Sequence, residues 1–457
     1  MRKESLRTWL NKRQSHISPT RLIALVFAAI IVVGTALLTL PVASRDGQSC
    51  DVLPALFTAT SATCVTGLVM FDTWTQWSLF GQIVILCLIE IGGLGFMSAA
   101  SLVVFFLRKK VGLRQRMVMV QALSVNDMDT VVRLQRLVLC GSMLIQLIGA
   151  IVLMLRFFPQ FGWGRAAWWG LYHSVTAFCN AGFDIFGILQ PGTSVMVFNR
   201  DPVVLMTLGT LVALGGLGFF VWEEVVRLRS WRKFSVYTKL VLLTTASLII
   251  IGAALFCFME WNNPNTIGSM SVGDKLLNGL FQSLSTRTAG YAAVDQALLT
   301  DGGKVVTMLL MLIGGSSGST AGGIKTVTVV VLALFLWARI RGKRSVCVFK
   351  RTIPENQVLD AMTIVGIMVG LAVFGGVVIC ATSPVGFTDA LFEAVSALAT
   401  VGLTAGVTTK LSIAAQLLMI LYMYFGRVGI LTISLGFLMG NRAEDRYRYA
   451  QTNLFIG

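Results

Sequence analysis

The chain has 457 residues, 55% of them hydrophobic and only 13% charged, with a net charge of +16 and a mean hydropathy of +0.78. Soluble domains carry about a quarter charged residues, so a water-soluble globular protein is excluded and a polytopic all-α membrane protein is expected. The positive charge does not mark a nucleic-acid binder. Of the 37 Lys and Arg, 27 lie in two tails and the segments 108–136, 227–239 and 339–351, the alternate connections between apolar stretches.

Crossing a bilayer core of roughly 30 Å takes about 20 apolar residues of helix. Eight such stretches follow one another. Leu22–Val42, Leu137–Leu155, Val203–Trp222 and Leu240–Met259 carry no charge, and Ala361–Thr382 completes the apolar set. Trp77–Leu107, Val305–Ala338 and Leu411–Asn441 carry one charge each: Glu90, Lys325 and Arg427. The first stretch is too long for a removable signal peptide and lacks a small-residue cleavage site. Basic connections alternate with acidic ones that hold Asp46, Asp72, Asp184, Asp201, Asp274 and Asp301. The positive-inside rule therefore puts both termini in the cytoplasm, with the basic loops also available to membrane lipid. Eight scattered cysteines and two histidines form no metal or disulfide pattern.

Between the spans of each pair lies a shorter apolar segment, too short to cross and expected to be re-entrant. In chain order these run Phe57 to Leu68, Tyr172 to Phe183, Phe281 to Tyr291 and Phe392 to Leu403. Each has an aromatic residue, a Ser or Thr four residues later, and then a glycine: Gly67, Gly182, Gly290 and Gly402. The glycines stand 115, 108 and 112 residues apart, so one span–loop–span unit is used four times. The expected partition is a tail 1–21, repeat 1 at 22–107, a linker 108–136, repeat 2 at 137–226, a linker 227–239, repeat 3 at 240–338, a linker 339–360, repeat 4 at 361–440 and a tail 441–457. A second mark follows each loop: GGLGF at Gly92, GGLGF at Gly215, GGSSG at Gly314 and GRVGI at Gly426. Small residues there let helices approach closely.

A half-helix entering from outside aims its negative C-terminal end at the centre. Four of them favour a cation over an anion. The residues that follow can turn carbonyl oxygens inward to replace a hydration shell, and glycine permits the backbone angles this requires. The expected filter is Val65, Thr66 and Gly67; Asn180, Ala181 and Gly182; Thr288, Ala289 and Gly290; and Thr400, Val401 and Gly402, holding potassium through backbone carbonyls. The bland alternative is four short interfacial helices with glycine C-caps; four in register disfavour it. The third loop is one residue shorter between its Ser and Gly and carries Arg287, so the four walls are not equivalent. Arg287 is expected to partner a carboxylate behind the filter, such as Glu393.

Val305–Ala338 would span about 51 Å as one helix. Its middle, Gly314, Gly315, Ser316, Ser317, Gly318, Ser319, Thr320, Ala321, Gly322 and Gly323, holds no large side chain. A helix–loop–helix is expected, with the loop as a gate under the filter; irregular backbone at that depth survives only against protein or a wet cavity. A phosphate-binding loop is excluded, since Ile324 separates Gly323 from Lys325. Arg427, at the centre of the last predicted span, is expected to sit below the filter and hold the gate, the alternative being a salt bridge with Glu90. Lys325 is expected to snorkel or cap the loop. An alternating-access carrier, the nearest rival, would show two large repeats, often inverted. No arginine ladder or catalytic pairing occurs in the spans, so neither a voltage sensor nor an enzyme is expected.

Thr400-Val401-Gly402-Leu403 resembles the TVGY of potassium-channel filters. Over residues 22 to 440 the chain resembles the superfamily of Trk, Ktr and HKT potassium transporters, and with its short N-terminal tail it is most similar to the Ktr membrane subunits (KtrB). The resemblance implies potassium preference, because all four filter positions are glycine. It also implies sodium-dependent uptake, a homodimer, a cytoplasmic nucleotide-sensing regulatory ring of the KtrA/TrkA kind, and residence in the cell inner membrane. An intramembrane loop in the third repeat and a pore-facing arginine in the fourth are implied as well.

Overall fold

A computed structural model describes residues 19–95, 128–343 and 345–429. The described chain is almost wholly helical: α1 (Pro19–Leu38), α2 (Val52–Thr63), α3 (Leu79–Leu94), α4 (Met128–Phe178), α5 (Pro202–Leu217), α6 (Phe219–Leu228), α7 (Val236–Glu260), α8 (Val272–Ser285), α9 (Asp301–Leu312), α10 (Thr326–Ile340), α11 (Glu355–Thr382), α12 (Phe387–Leu398) and α13 (Ile413–Val428). A two-stranded hairpin, β1 (Cys347–Val348) with β2 (Arg351–Thr352), joins α10 to α11. Within α4, Pro159 and Gly162 (φ 73°) break the helix ahead of its last stretch.

The helices close into a ring. Short α2 packs between α1 and α3, the end of α4 lies against α5, α8 lies against α7, and α12 lies between α11 and α13. Successive groups join through α3 with α4, α5 with α8, and α9 with α12; α13 then returns to α2 and α1. The buried interior includes Phe57, Tyr172, Phe178, Phe281, Tyr291 and Phe392 from the short helices and the loops that follow them. The outside is apolar too: Val32, Ile250, Phe258, Phe374 and Ile413 are more than half exposed. Such a surface suits lipid, since soluble monomers keep contiguous apolar patches small.

In three of the expected spans the helix is interrupted within the described residues. The stretch from Trp77 ends its helix at Leu94, Val203–Trp222 divides at Gly218, and the stretch from Leu411 ends its helix at Val428. In each, a glycine three residues after the close-packing glycine takes positive φ: Gly95 at 80°, Gly218 at 91° and Gly429 at 92°. An L-residue side chain opposes that conformation and glycine does not. Beyond Gly218, α6 turns 92° away from α5. Among the described residues only α7, α11 and the long helix from Leu137 are by themselves long and apolar enough to cross a membrane. The C-terminal part of the stretch from Trp77, the tails and most of the 108–136 segment lie outside the described residues.

Candidate functional site

The ends of α2, α4, α8 and α12 converge on one place. At the end of α2, the Val65 N–H donates to Ala62 O (3.1 Å) and the Thr66 N–H to Ser61 O (2.8 Å). The same pair recurs as Asn180 to Ala177 with Ala181 to Thr176, and as Thr400 to Ala397 with Val401 to Ser396. This is the double bond of a Schellman cap. Its left-handed residue is not glycine: Val65 has φ 57°, Asn180 60° and Thr400 53°, and Thr288 in the third loop has 64°. Two residues on, Gly67, Gly182, Gly290 and Gly402 are also left-handed, at 93°, 68°, 77° and 98°. The residue between them is not. In an extended chain successive carbonyls alternate sides; reversing every second residue brings them toward one side.

The glycines are required by close approach. A Cβ on Gly182 would lie 2.6 Å from Ala289 O and 3.0 Å from the Gly290 Cα. One on Gly290 would strike Val401 O, one on Gly402 would strike Thr66 O, and one on Gly67 would strike Ala181 O. The contacts run 67 to 182 to 290 to 402 and back to 67, a closed ring of four. A cavity of about 360 Å³ is lined by all four glycines and by Asp72, Asp184 and Asp295, so its lining carries carboxyl groups. Next to the ring, the hydroxyls of Thr63, Thr66, Thr288 and Thr400 are buried without a protein partner among the described residues.

The loops are held by different means. The Gly67 N–H donates to Ser61 Oγ (3.0 Å) and the Gly402 N–H to Ser396 Oγ (3.1 Å). In the shorter third loop Ser285 Oγ instead donates to Tyr291 O (2.6 Å). The Tyr291 hydroxyl crosses to the second loop, where it meets Thr176 Oγ1 and Phe183 O. His173 accepts the Ile185 N–H at Nε2 (3.2 Å) and contacts Trp169 O through Nδ1 (2.7 Å), which makes Nδ1 the protonated nitrogen. It also stacks on Phe186, centroids 3.8 Å apart. Glu393 accepts from Thr404 and Thr408 and so fastens the outer lip of the fourth loop.

Between α9 and α10 the chain leaves helix and folds back, Gly314 N–H donating to Ile324 O (2.9 Å) and Ile324 N–H to Leu312 O (3.1 Å). The loop is tied mainly to one neighbour. Ser316 N–H and Oγ donate to Gly216 O, and Thr320 N–H donates to Gly215 O. Thr320 Oγ1 reaches Phe178 O and Asn180 Oδ1 at 3.2 and 3.1 Å, directly at the second glycine loop. Gly322 lies against Thr400, where a Cβ would strike the hydroxyl. Three cations converge on the loop: Arg287 on Gly314 O (3.3 Å), Lys325 on Ala321 O (2.8 Å) and Arg427 on Thr320 O. Arg427 also donates to Gly92 O and Gly93 O.

One expected pairing is corrected and one alternative falls away. Arg287 does not meet Glu393; its guanidinium turns to the loop carbonyl and the carboxylate to threonines. Glu90 does not pair with Arg427; it accepts from Gln146 and Cys179, while Arg427 takes backbone carbonyls. Arg427 lies in the last turn of α13 rather than mid-helix. Sequence reading missed the Tyr291 bridge, although the shortened third loop was a signal that this wall needed another fastening.

The family model for the TrkH cation transport proteins matches residues 5–444. The potassium/sodium uptake protein NtpJ of Enterococcus hirae is 39% identical over 98% of this chain and 100% of its own. The Ktr system potassium uptake protein B of Bacillus subtilis is 37% identical, covering 96% of this chain and 97% of its own. The counterpart from Vibrio alginolyticus is likewise 37% identical, over 96% and 94%. The solved potassium transporter TrkH of Vibrio parahaemolyticus shares the fold, with TM-score 0.71 over 92% of this chain and 85% of that one at 17% identity. The chain belongs to the TrkH family of cation transport proteins.

Proposed function

We propose that the chain is a channel-like potassium uptake subunit with four span–loop–span repeats around one pathway. The filter is the ring of Gly67, Gly182, Gly290 and Gly402 with the two residues before each, and 314–323 with Arg427 forms the gate. The observation that carries this reading is the ring closure: each glycine abuts the carbonyl that precedes the next. Four sets of inward carbonyls suit a dehydrated monovalent cation. The threonine hydroxyls without a partner among the described residues add acceptors, and the carboxyl groups lining the cavity favour cations. The relatives named as potassium uptake proteins support potassium, and the one named for sodium as well supports sodium dependence. The name "Ktr system" supports a system with further subunits, in keeping with a cytoplasmic nucleotide-sensing ring. In this reading the chain is a homodimer in the inner membrane with both termini cytoplasmic.

Gly67→Ser tests the filter. Its Cβ would strike Ala181 O, pushing two walls apart. Potassium-over-sodium uptake in proteoliposomes is expected to fall about tenfold or more, a change of about 1.4 kcal/mol. Equal selectivity in wild type and variant contradicts the assignment.

A further inference from the structure

The 92° turn at Gly218 leaves α6 crosswise to α5. If α5 crosses the membrane as proposed above, α6 lies in the plane of the cytoplasmic surface. Its far end is a compact clasp. Arg229 takes a left-handed C-cap, its N–H donating to Val225 O (3.1 Å). Glu224 accepts from the Ser235 N–H (2.6 Å), the Ser235 hydroxyl (2.7 Å) and Thr238 Oγ1. The turn Trp231–Lys233 is thereby held outward, with Trp231 47% exposed and Arg232 and Lys233 exposed beside it. Val225 and Val226 are exposed on α6. From Val225 to Lys239 the sequence has five basic residues and no acidic one. Of these five, only Arg227 is in an ion pair among the described residues, with Glu223 at 3.1 Å. An in-plane helix that ends in exposed valines, a tryptophan and unpaired basic side chains has the chemistry of an interfacial anchor for anionic headgroups.

This anchor is bonded to the loop under the filter. The first residue of α6, Phe219, donates its N–H to Gly318 O (2.8 Å). The Tyr237 hydroxyl, just past the clasp, donates to Ser317 O (3.1 Å). Leu217, immediately before the bend, accepts from Ser316 Oγ. The Phe220 ring lies so close to Gly318 that a Cβ there would sit 2.9 Å away. Tilting α6 therefore strains contacts of Ser316, Ser317 and Gly318 together.

We propose that α6 and the Trp231–Lys233 turn form a binding surface for anionic phospholipid headgroups of the cytoplasmic leaflet, and that lipid bound there controls the 314–323 loop. The inference rests on the proposed reading in two parts: the binding surface on α5 as a membrane span, and the control of the loop on transport through the pathway. Charge complementarity favours a lipid leaflet, with its negative surface potential, over a soluble partner.

The test compares wild type with the combined variant Trp231→Ala, Arg232→Gln and Lys233→Gln, and with Lys410→Gln as a control, Lys410 being an exposed basic residue in the connection to α13. Native mass spectrometry reads retention of phosphatidylglycerol against phosphatidylcholine. Rubidium uptake is measured in vesicles of phosphatidylcholine with and without phosphatidylglycerol. Wild type and control are expected to retain phosphatidylglycerol preferentially. The triple variant should lose at least about tenfold of that retention, given the loss of two basic contacts and the aromatic anchor. Wild-type uptake should change several-fold with phosphatidylglycerol, and the variant's should not. Equal retention in wild type and triple variant overturns the binding surface. So does a variant that keeps its lipid retention but loses co-purification with a regulatory subunit, which would assign the surface to protein. Altered retention with an unchanged lipid response of uptake overturns the control of the loop. Uptake absent from every preparation, with the retention difference intact, contradicts the transport reading and leaves the lipid surface standing.

Discussion

Val65, Thr288 and Thr400 hold left-handed backbone although each is β-branched, a conformation that costs on the order of 1–3 kcal/mol per residue. The surrounding packing meets that cost, for all three are fully buried. Glycine is reserved for the neighbouring position, where a side chain would enter the next loop. The sequence made the second choice legible and hid the first: a repeated glycine is visible, whereas a valine gives no sign of positive φ. Tyr291 was hidden for a related reason, because its partners Thr176 and Phe183 are more than 100 residues away. Tyr291→Phe should keep the ring and remove the bridge between the second and third loops. Each lost hydrogen bond is worth about 1 kcal/mol of stability, so the variant should still assemble with a modestly lower thermal midpoint, while the loosened ring lets potassium-over-sodium selectivity fall several-fold. Selectivity equal to wild type would reduce the tyrosine to packing.

At the scale of elements, glycine governs where helices stop and how near they come. Gly92, Gly215 and Gly426 let helices press on Thr63 O, Phe178 O and Leu398 O, each at the end of a helix that leads into a glycine loop. The repeat spacing gave that correspondence away. The breaks three residues later were read through, because hydropathy does not register a change of direction: the residues beyond Gly218 are as apolar as those before it. The 314–323 loop was legible from composition, but its fastenings were not. Arg427 was expected to hold it and does reach Thr320 O. The loop is also bound along one edge to Gly215–Leu217, with Arg287 and Lys325 on two further carbonyls. As a gate, it would swing from that edge. Shortening the loop should raise the uptake velocity and weaken its dependence on a regulatory partner. Arg427→Ala should raise flux without preventing assembly, since it frees Thr320 O while the bonds to α5 remain. Loop-shortened protein that assembles but transports no faster would make the segment a packing element.

The described helices form a ring in which α13 returns to α1 and α2, so in the proposed reading one chain supplies every wall. The apolar exterior and the count of apolar stretches were plain in the sequence; the ring closure depended on long-range contacts that no local pattern carries. The described part of the 339–351 segment exposes Arg339, Arg341, Lys343, Lys350 and Arg351 near the β1–β2 hairpin. Its tip, Phe349 and Lys350, is left-handed at both residues, a turn that usually takes Asn-Gly, and Phe349 is 47% exposed. We expect this face to dock the regulatory ring. Neutralising Arg339, Arg341 and Arg351 should abolish co-purification with that subunit, and co-purification that survives would remove the idea.

The account turns on whether the four glycine loops hold the permeating ion. Anomalous diffraction from crystals grown with rubidium in place of potassium measures this directly. Rubidium is expected on the axis of the ring, between the carbonyls of Thr66, Ala181, Ala289 and Val401, and at lower occupancy in Gly67→Ser than in wild type when both are grown in the same mixture of rubidium and sodium. A well-ordered ring with no rubidium on its axis, and rubidium bound elsewhere in the protein, would contradict it.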